Sequence, residues 1–434
     1  MRNQIHPLRR SKRLATIIPA SYWISIGYPE CIAQYVENLQ HDMKEYCDSS
    51  ESNIRLRSRD NDSNDVGRIL PFHELMLPHW ENFASALDKR RSVEIIDFCG
   101  IQLPLSILER VLPSIQKICL KKLYLLQADL GPSEFVYLSS FLRENSDLLD
   151  LSIVLGEIDL DAARSFSDAL RNHPSLEDLK LWDCGLGNAA KLGIILDGCK
   201  RLKIIYLDAN RLGSAGAALM ADFIGNNYSA KYICLRDNQI CDGDVPNLAS
   251  ALRRNTTLVR IDLRINRITC EGRKEMMKAM HDTKNMNSIV QSNHSCLIHM
   301  YDEDGDGGIV IPDIAVIPDS AVPNEFELVC INSGMDAIGK KVRKKVVLAL
   351  CGNTKDLLDL RYFNGIPLKM MPRALELIQE HTRRHTEEVS EGELDREALS
   401  RLFHTLRGWK MPLLFENLQC SMKVRKGKRN VSQV

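Results

Sequence analysis

The residues best spaced for metal chemistry lie late in the chain. Asp302, Asp304, Asp306, Gly307 and Asp313 fall at positions 1, 3, 5, 6 and 12 of a calcium loop, where alternate carboxylates converge on one hard cation and Gly permits the sharp turn. Their surroundings argue against such a site. Pro312, Pro318 and Pro323 break the helix that should follow, and Asp stands where a bidentate Glu is preferred. The segment 302–327 holds eight acids and no Lys or Arg, and reads as a solvated acidic loop. His381 and His385 lie one helical turn apart beside Glu380 and Glu387, a spacing that two metal ligands can share. On so charged a helix they read as a solvated face. His73-Glu74 lacks the second His of a zincin, and there is no phosphate loop ending in Gly-Lys-Ser/Thr and no G-x-S-x-G. The residues thus name no catalytic group, no cofactor, no metal and no small-molecule substrate, and the chain reads as a non-enzyme.

With 434 residues and 44% hydrophobic content, the sequence can bury two or three cores of ordinary size. Lys plus Arg and Asp plus Glu both number 57, so the chain as a whole has no electrostatic pull toward nucleic acid or acidic lipid. Local basic clusters exist at Arg2, Arg9, Arg10, Lys12 and Arg13, at Lys340, Lys341, Arg343, Lys344 and Lys345, and in the tail 423–429. Phosphate contacts are conceivable only there, chiefly at the termini. The amino-terminal cluster is open between a solvated tail, a nuclear import signal and an organelle transit peptide. Thirteen cysteines with no C-x-x-C pair suit a reducing compartment, so the expected location is intracellular, cytoplasm or nucleus. Five N-x-S/T triplets, at Asn61, Asn227, Asn255, Asn293 and Asn430, are read as chance. No run approaches the ~18 apolar residues of a membrane-spanning helix, so no membrane partner is expected.

The strongest signal is a repeat. The template L-x-x-L-x-L-x-x-N/C-x-L fits Leu176, Leu179, Leu181, Cys184 and Leu186, and again Leu202, Ile205, Leu207, Asn210 and Leu212. Copies follow at Ala230, Ile233, Leu235, Asn238, Ile240 and at Leu258, Ile261, Leu263, Asn266, Ile268. Three precede them, starting at Leu148, Leu120 and a looser Val93, so that seven starts are separated by 27, 28, 28, 26, 28 and 28 residues. Amphipathic stretches such as 161–171 and 214–223 fill the gaps, making each repeat strand, turn, helix, turn. A side chain at the N/C place points inward and must bond the turn backbone, as Asn210, Asn238, Asn266 and Cys184 can. Ile101, Ala128 and Gly156 cannot, which predicts less regular early repeats.

Over residues 93–296 these copies resemble the ribonuclease inhibitor type of leucine-rich repeat, the long helix-containing class also seen in Ran GTPase activating protein and in the repeat tails of NOD-like immune receptors. The resemblance implies an α/β horseshoe solenoid, parallel strands on the concave side and helices on the convex side, with helical amino- and carboxy-terminal flanks. It also raises an alternative, a GTPase activator similar to Ran GTPase activating protein, because an acidic segment follows the repeats.

The organisation expected is a basic arm and helix (1–47), a disordered Ser/Asp/Asn/Arg linker (48–67), a cap helix (68–92), and seven repeats plus a degenerate closing one built on Met286, Ile289, His294 and Cys296 (93–296). An acidic Pro-containing loop (297–328), a helical region (329–420) and a basic tail (421–434) complete it.

Strand side chains alternate, so the third, fifth and seventh places of each template face the inner wall. These give Tyr124, Lys180, Trp182, Tyr206, Asp208, Tyr232, Arg236, Arg260, Asp262 and Arg264 as candidate partner-binding residues. Tyr, Trp and Arg are the residue types that dominate binding hot spots. The expected function is a non-enzymatic scaffold gripping an as yet unidentified protein on its concave face.

Overall fold

The computed structural model describes residues 15–57, 69–90, 92–282, 288–289, 291–300, 309–311, 314–317, 332 and 341. The calcium-loop acids, His381 and His385, Met286, the basic arm 1–14, the cluster at 340–345 apart from Lys341, and the tail lie outside them. The chain divides into two compact units, Met1–Leu219 with Ser229–Ile240, and Met220–Tyr228 with Cys241–Val434.

In the first unit seven parallel strands pair in chain order: β1 Asn53–Arg57, β2 Ile95–Cys99, β3 Lys122–Leu130, β4 Asp150–Gly156, β5 Asp178–Trp182, β6 Ile204–Tyr206 and β7 Tyr232–Cys234. Between them run α3 Leu77–Leu87, α4 Leu105–Ile115, α5 Pro132–Glu144, α6 Leu160–Asn172 and α7 Ala189–Gly198, packed successively side by side, and the first half of α8 Gly213–Asn226, whose residues from Met220 on belong to the second unit. Period-2 alternation sends the fourth and sixth places of each template into the layer between sheet and helices. Leu123, Leu125, Leu151, Ile153, Leu179, Leu181 and Ile205 are there without exposed surface. From the helical side α6 contributes Phe166 and Leu170 together with the small Ala162, Ala163 and Ser167. The small residues let α7 approach so closely that a Cβ on Gly198 would lie 2.7 Å from the Ser167 carbonyl oxygen.

The strands β2 to β7 share the same turn. Gly100, Gln127, Leu155, Asp183, Ala209 and Asp237, all at the eighth place, adopt left-handed backbone with φ between 50 and 70°. In non-Gly residues this conformation costs ~1 kcal/mol or more, so the turn must be over-determined by its bonds. Asn210 is buried, accepts from the backbone N–H of Cys184 (2.9 Å) and Leu186 (3.3 Å), and donates to the carbonyls of Leu181 (2.7 Å) and Asp208 (3.0 Å). Asn238 does the same one repeat on, accepting from Asn210 and Leu212 and donating to Leu207 and Arg236. The Cys184 thiol copies the donor half, to Ile153 and Trp182. The early repeats keep the left-handed eighth place, but they are less regular in pairing, as expected: β3 and β4 shift register between Leu126 and Leu130. Where the ninth place of the next repeat holds no Asn, its backbone carbonyl takes over, as in Leu103 N–H to Ala128 O (3.1 Å) and Ile158 N–H to Cys184 O (3.3 Å). The visible difference is in strand length, nine and seven residues in β3 and β4 against three in β6 and β7.

Two expectations at the amino end need correction. Residues 48–67 are not a disordered linker throughout, because Asn53–Arg57 is a strand with Ile54 and Leu56 fully buried and in register with Ile96 and Phe98. Leu70 then bridges to Ile101. Segment 68–92 is therefore not a cap but carries α3, the helix of this extra repeat. Packed on α3 is α2, Glu30–Asp48, which buries Ile32, Val36, Leu39 and Met43 at helical spacing. Arg90 binds the carbonyls of Tyr46 and Ser49 at the end of α2. Short α1, Ala20–Ser25, buries Trp23 edge-on against Tyr28 and His73.

The second unit contains α9 Val245–Arg254, β8 Arg260–Asp262, α10 Cys270–Met280 and β9 Leu297–His299, with β8 and β9 parallel. The closing repeat is displaced from the frame expected for it. Ile261 pairs with Ile298, and β9 starts 37 residues after β8, so Cys296 precedes the strand and the array runs past 296. Within the expected acidic loop, β10 Ile309–Ile311 and β11 Ile314–Ile317 form an antiparallel pair.

A second Asn series runs through this unit at the helix-to-strand corner. Asn255 accepts from Thr257 and Leu258 N–H (2.8 Å each) and donates to Ile224 and Asn227 O (2.7 and 2.8 Å). Asn293 repeats the pattern on Ser295, Cys296, Leu252 and Asn255, and Asn332 donates to Cys296 O at 2.7 Å. Asn227, Asn255 and Asn293 are all buried. Three of the five glycosylation-like triplets therefore coincide with buried corner residues rather than with accessible modification sites.

Replacing Asn238 by Ala leaves several buried backbone groups without a partner and should lower the unfolding free energy by about 3 kcal/mol. Leu56→Ala in β1 should cost a similar amount, about 3 kcal/mol, as core truncations do. Urea unfolding of both variants checks this; a Leu56→Ala chain as stable as the parent would show that β1 is not part of the core.

Candidate functional site

Register places the third, fifth and seventh residues of the strands in continuous rows on the sheet face opposite the helices. The row of third places reads Lys122, Asp150, Asp178, Ile204, Tyr232, and the row of fifth places reads Asp97, Tyr124, Ser152, Lys180, Tyr206, Cys234. Two of the expected anchors meet here at one carboxylate, and two more are linked to them in a chain. Buried Asp150 accepts a hydrogen bond from the Tyr124 hydroxyl (2.8 Å) and an ion pair from Lys180 Nζ (3.3 Å). That ammonium lies 5.6 Å from the centroids of both the Tyr124 and the Tyr206 ring. Such cation–π placement adds to the ion pair because the ring faces are electronegative. Tyr206 in turn packs on Tyr232, centroids 5.0 Å apart at 55°, and the two hydroxyls share a hydrogen bond.

Burial, followed by the hydrogen bond to Asp150 and the charges of Asp150, Asp97 and Asp178, raises the pKa of the Tyr124 phenol far above the ordinary 10.0. Burial also raises that of Tyr206. Both rings are therefore neutral hydrogen-bonding groups at physiological pH. Asp178 is half-buried, and its carboxyl is pushed up first by burial and then by the charge of Asp150, against the pull of Lys180 and Lys122.

The remaining candidates separate by role. Trp182 is 46% exposed and available as a contact. Arg236 is half-buried at the seventh place of its template. Asp208 is buried, and its Oδ1 accepts the Cys234 thiol at 2.7 Å, which makes it part of the sheet's own bonding. In the second unit the Arg264 guanidinium forks onto Asp262, Nε to both oxygens at 3.0 Å and Nη2 to Oδ2 at 2.7 Å, and the side chain is 18% exposed. Arg260 lies half-buried on the same strand. Sequence reasoning placed Asp150 on the wall without seeing it as the hub, and it missed Arg57, whose Nη2 pairs with Asp97 at 2.5 Å from β1. The signal for Asp150 was present in its neighbours, a Tyr and a Lys one rung away on either side; the signal for Arg57 required knowing that β1 exists.

Catalytic chemistry finds little support among the described residues. Burial raises the thiols of Cys184, Cys199 and Cys296, Cys199 to about 12, so they are protonated at neutral pH. No group of three or more His, Cys, Asp or Glu among the described residues is arranged to hold a metal ion. No described helix is long and apolar enough to cross a membrane.

No protein-family model matches the chain. Over 159 residues, 36% of its length, the chain is 30% identical to the NACHT, LRR and PYD domains-containing protein 14 of Mus musculus. The fold is a leucine-rich repeat solenoid. The match spans only 16% of that relative's length, so it says nothing about the whole of the larger protein.

Because the folded-state pKa of Tyr124 lies above the ordinary value, its stabilising contribution is complete below 10.0 and is lost as the pH rises through the folded value. Ultraviolet titration should show Tyr124 resisting ionisation while exposed tyrosines titrate. Asp150→Asn, which removes the charge but keeps an acceptor, should bring its pKa down. A Tyr124 that titrates with the exposed phenols would show that the hub is not formed.

Proposed function

We propose that this chain is a non-enzymatic scaffold of the ribonuclease inhibitor type that recognises a protein partner on the concave, strand-bearing face of its solenoid. The repeat architecture and a relative that carries leucine-rich repeats by name support protein binding in general. The observation that carries the face is the linked series Tyr124, Lys180, Tyr206 and Tyr232, anchored at one end by Asp150, on strands whose backbone is already fixed. Aromatic and cationic groups locked before the partner arrives lose little rotamer entropy on binding, which is the main cost such interfaces meet. Lys180 is 32% exposed and Trp182 more so, leaving them accessible to a partner. The forked Arg264 and buried Asp208 enter this reading as supports and not as anchors. An intracellular setting fits a chain with buried, protonated thiols.

Affinity capture with the full chain, beside one carrying Trp182→Ala, Tyr206→Ala and Tyr232→Ala, tests the reading. Each anchor is worth about 2 kcal/mol at a hot spot, so the triple variant should lose the partners that the parent retains while melting as a folded protein. Recovery of the same partners at the same yield by both chains would overturn it.

A further inference from the structure

The wall between β5 and β7 has an asymmetry that the assembly around Lys180 does not use. Lys180 is neutralised by Asp150, and Asp97 by Arg57. Asp178, half-buried on β5, shares no such short ion pair among the described residues, and one strand over from it lies Ile204, then Tyr232. Tyr206, in the neighbouring row, packs its ring on that of Tyr232, and the two form an aromatic shelf at the end of this row. Adjacent strands are ~4.8 Å apart, so Tyr206 lies one strand spacing from the acid and Tyr232 two, a span that a Lys or Arg side chain can bridge.

We infer that Asp178, Ile204, Tyr206 and Tyr232 form the seat of one cationic side chain, Lys or Arg, presented by a basic peptide segment of the protein partner. The carboxylate takes the charged head, Ile204 and the two rings take the methylene stem, and a guanidinium or ammonium near Tyr206 gains from the ring face as Lys180 already does. Burial and the neighbouring Asp150 charge disfavour the Asp178 carboxylate in the free chain, so an incoming cation relieves a cost that the fold has already met. An anionic side chain would find the opposite environment, because the nearest ammonium, Lys180, is already committed to Asp150.

This inference rests on the strand-face reading above, and the test separates the two. The full-length chain is selected against an immobilised library of short random peptides, alongside Asp178→Lys and Tyr206→Ala variants whose melting temperatures match the parent. The parent should enrich peptides with Lys or Arg at one position. Asp178→Lys should invert that preference to Asp or Glu and weaken the parent's best basic peptide about tenfold, as loss of a partly desolvated charge pair does. Tyr206→Ala should weaken the same peptide without inverting the charge preference. Peptides lost on Tyr206→Ala but indifferent to Asp178→Lys would overturn the cation seat and leave the binding face standing. Peptides indifferent to both substitutions, or an absence of any enriched peptide, would overturn both.

Discussion

Buried peptide groups at the two corners of every repeat are the constraint on which the structure depends. A strand that stops after three residues, as β6 and β7 do, leaves backbone N–H and C=O groups pointing into the core within one turn of chain. Unpaired, each would cost more than a typical hydrogen bond contributes. Asn210 and Asn238 close one corner and Asn255 and Asn293 the other, each amide using both its oxygen and its nitrogen. These bonds tie one repeat to its neighbour. The left-handed residues beside Asn210 and Asn238 are tolerable because those amides hold the chain there.

Once the corners and the fourth and sixth places secure the fold, the other side of each strand is freer in residue type, although Asp150, Asp208 and Cys234 there are buried. That freedom is why Tyr, Trp, Lys and Asp can accumulate there without unfolding the array. It does not make the face arbitrary. Asp150 is buried, and a buried carboxylate requires partners, so Tyr124 and Lys180 are fixed by its needs. The wall residues are thus coupled, and a change at Asp150 is felt at Tyr206 two strands away through Lys180.

Much of the first unit was legible because its period is nearly constant. The template starts fall two residues before β2 through β7, and the alternation that assigned Tyr124, Lys180, Tyr206 and Tyr232 to one face agrees with the observed register. What escaped was irregular in length. β1 begins 42 residues before β2, with a polar stretch between them that hides the apolar Ile54 and Leu56. β9 begins 37 residues after β8, so a frame extrapolated at 28 lands in the loop before it. Periodicity also says nothing about pairing within a face. Whether Asp262 offers itself to a partner or holds Arg264 depends on two rotamers that the sequence does not encode.

The N-x-S/T triplets show how one pattern can carry two meanings. In Asn255-Thr-Thr the Asn oxygen accepts from both the backbone N–H and the hydroxyl of Thr257, while its amide reaches back across the previous corner. In Asn293-His-Ser, Ser295 fills the same role. The hydroxyl two residues after Asn is therefore favoured by the geometry of the corner itself, since it gives the Asn oxygen a further donor inside a tight turn. A repeat protein that uses this corner will accumulate such triplets for structural reasons, and burial of the Asn, rather than the triplet, decides whether the site can be reached in the folded chain.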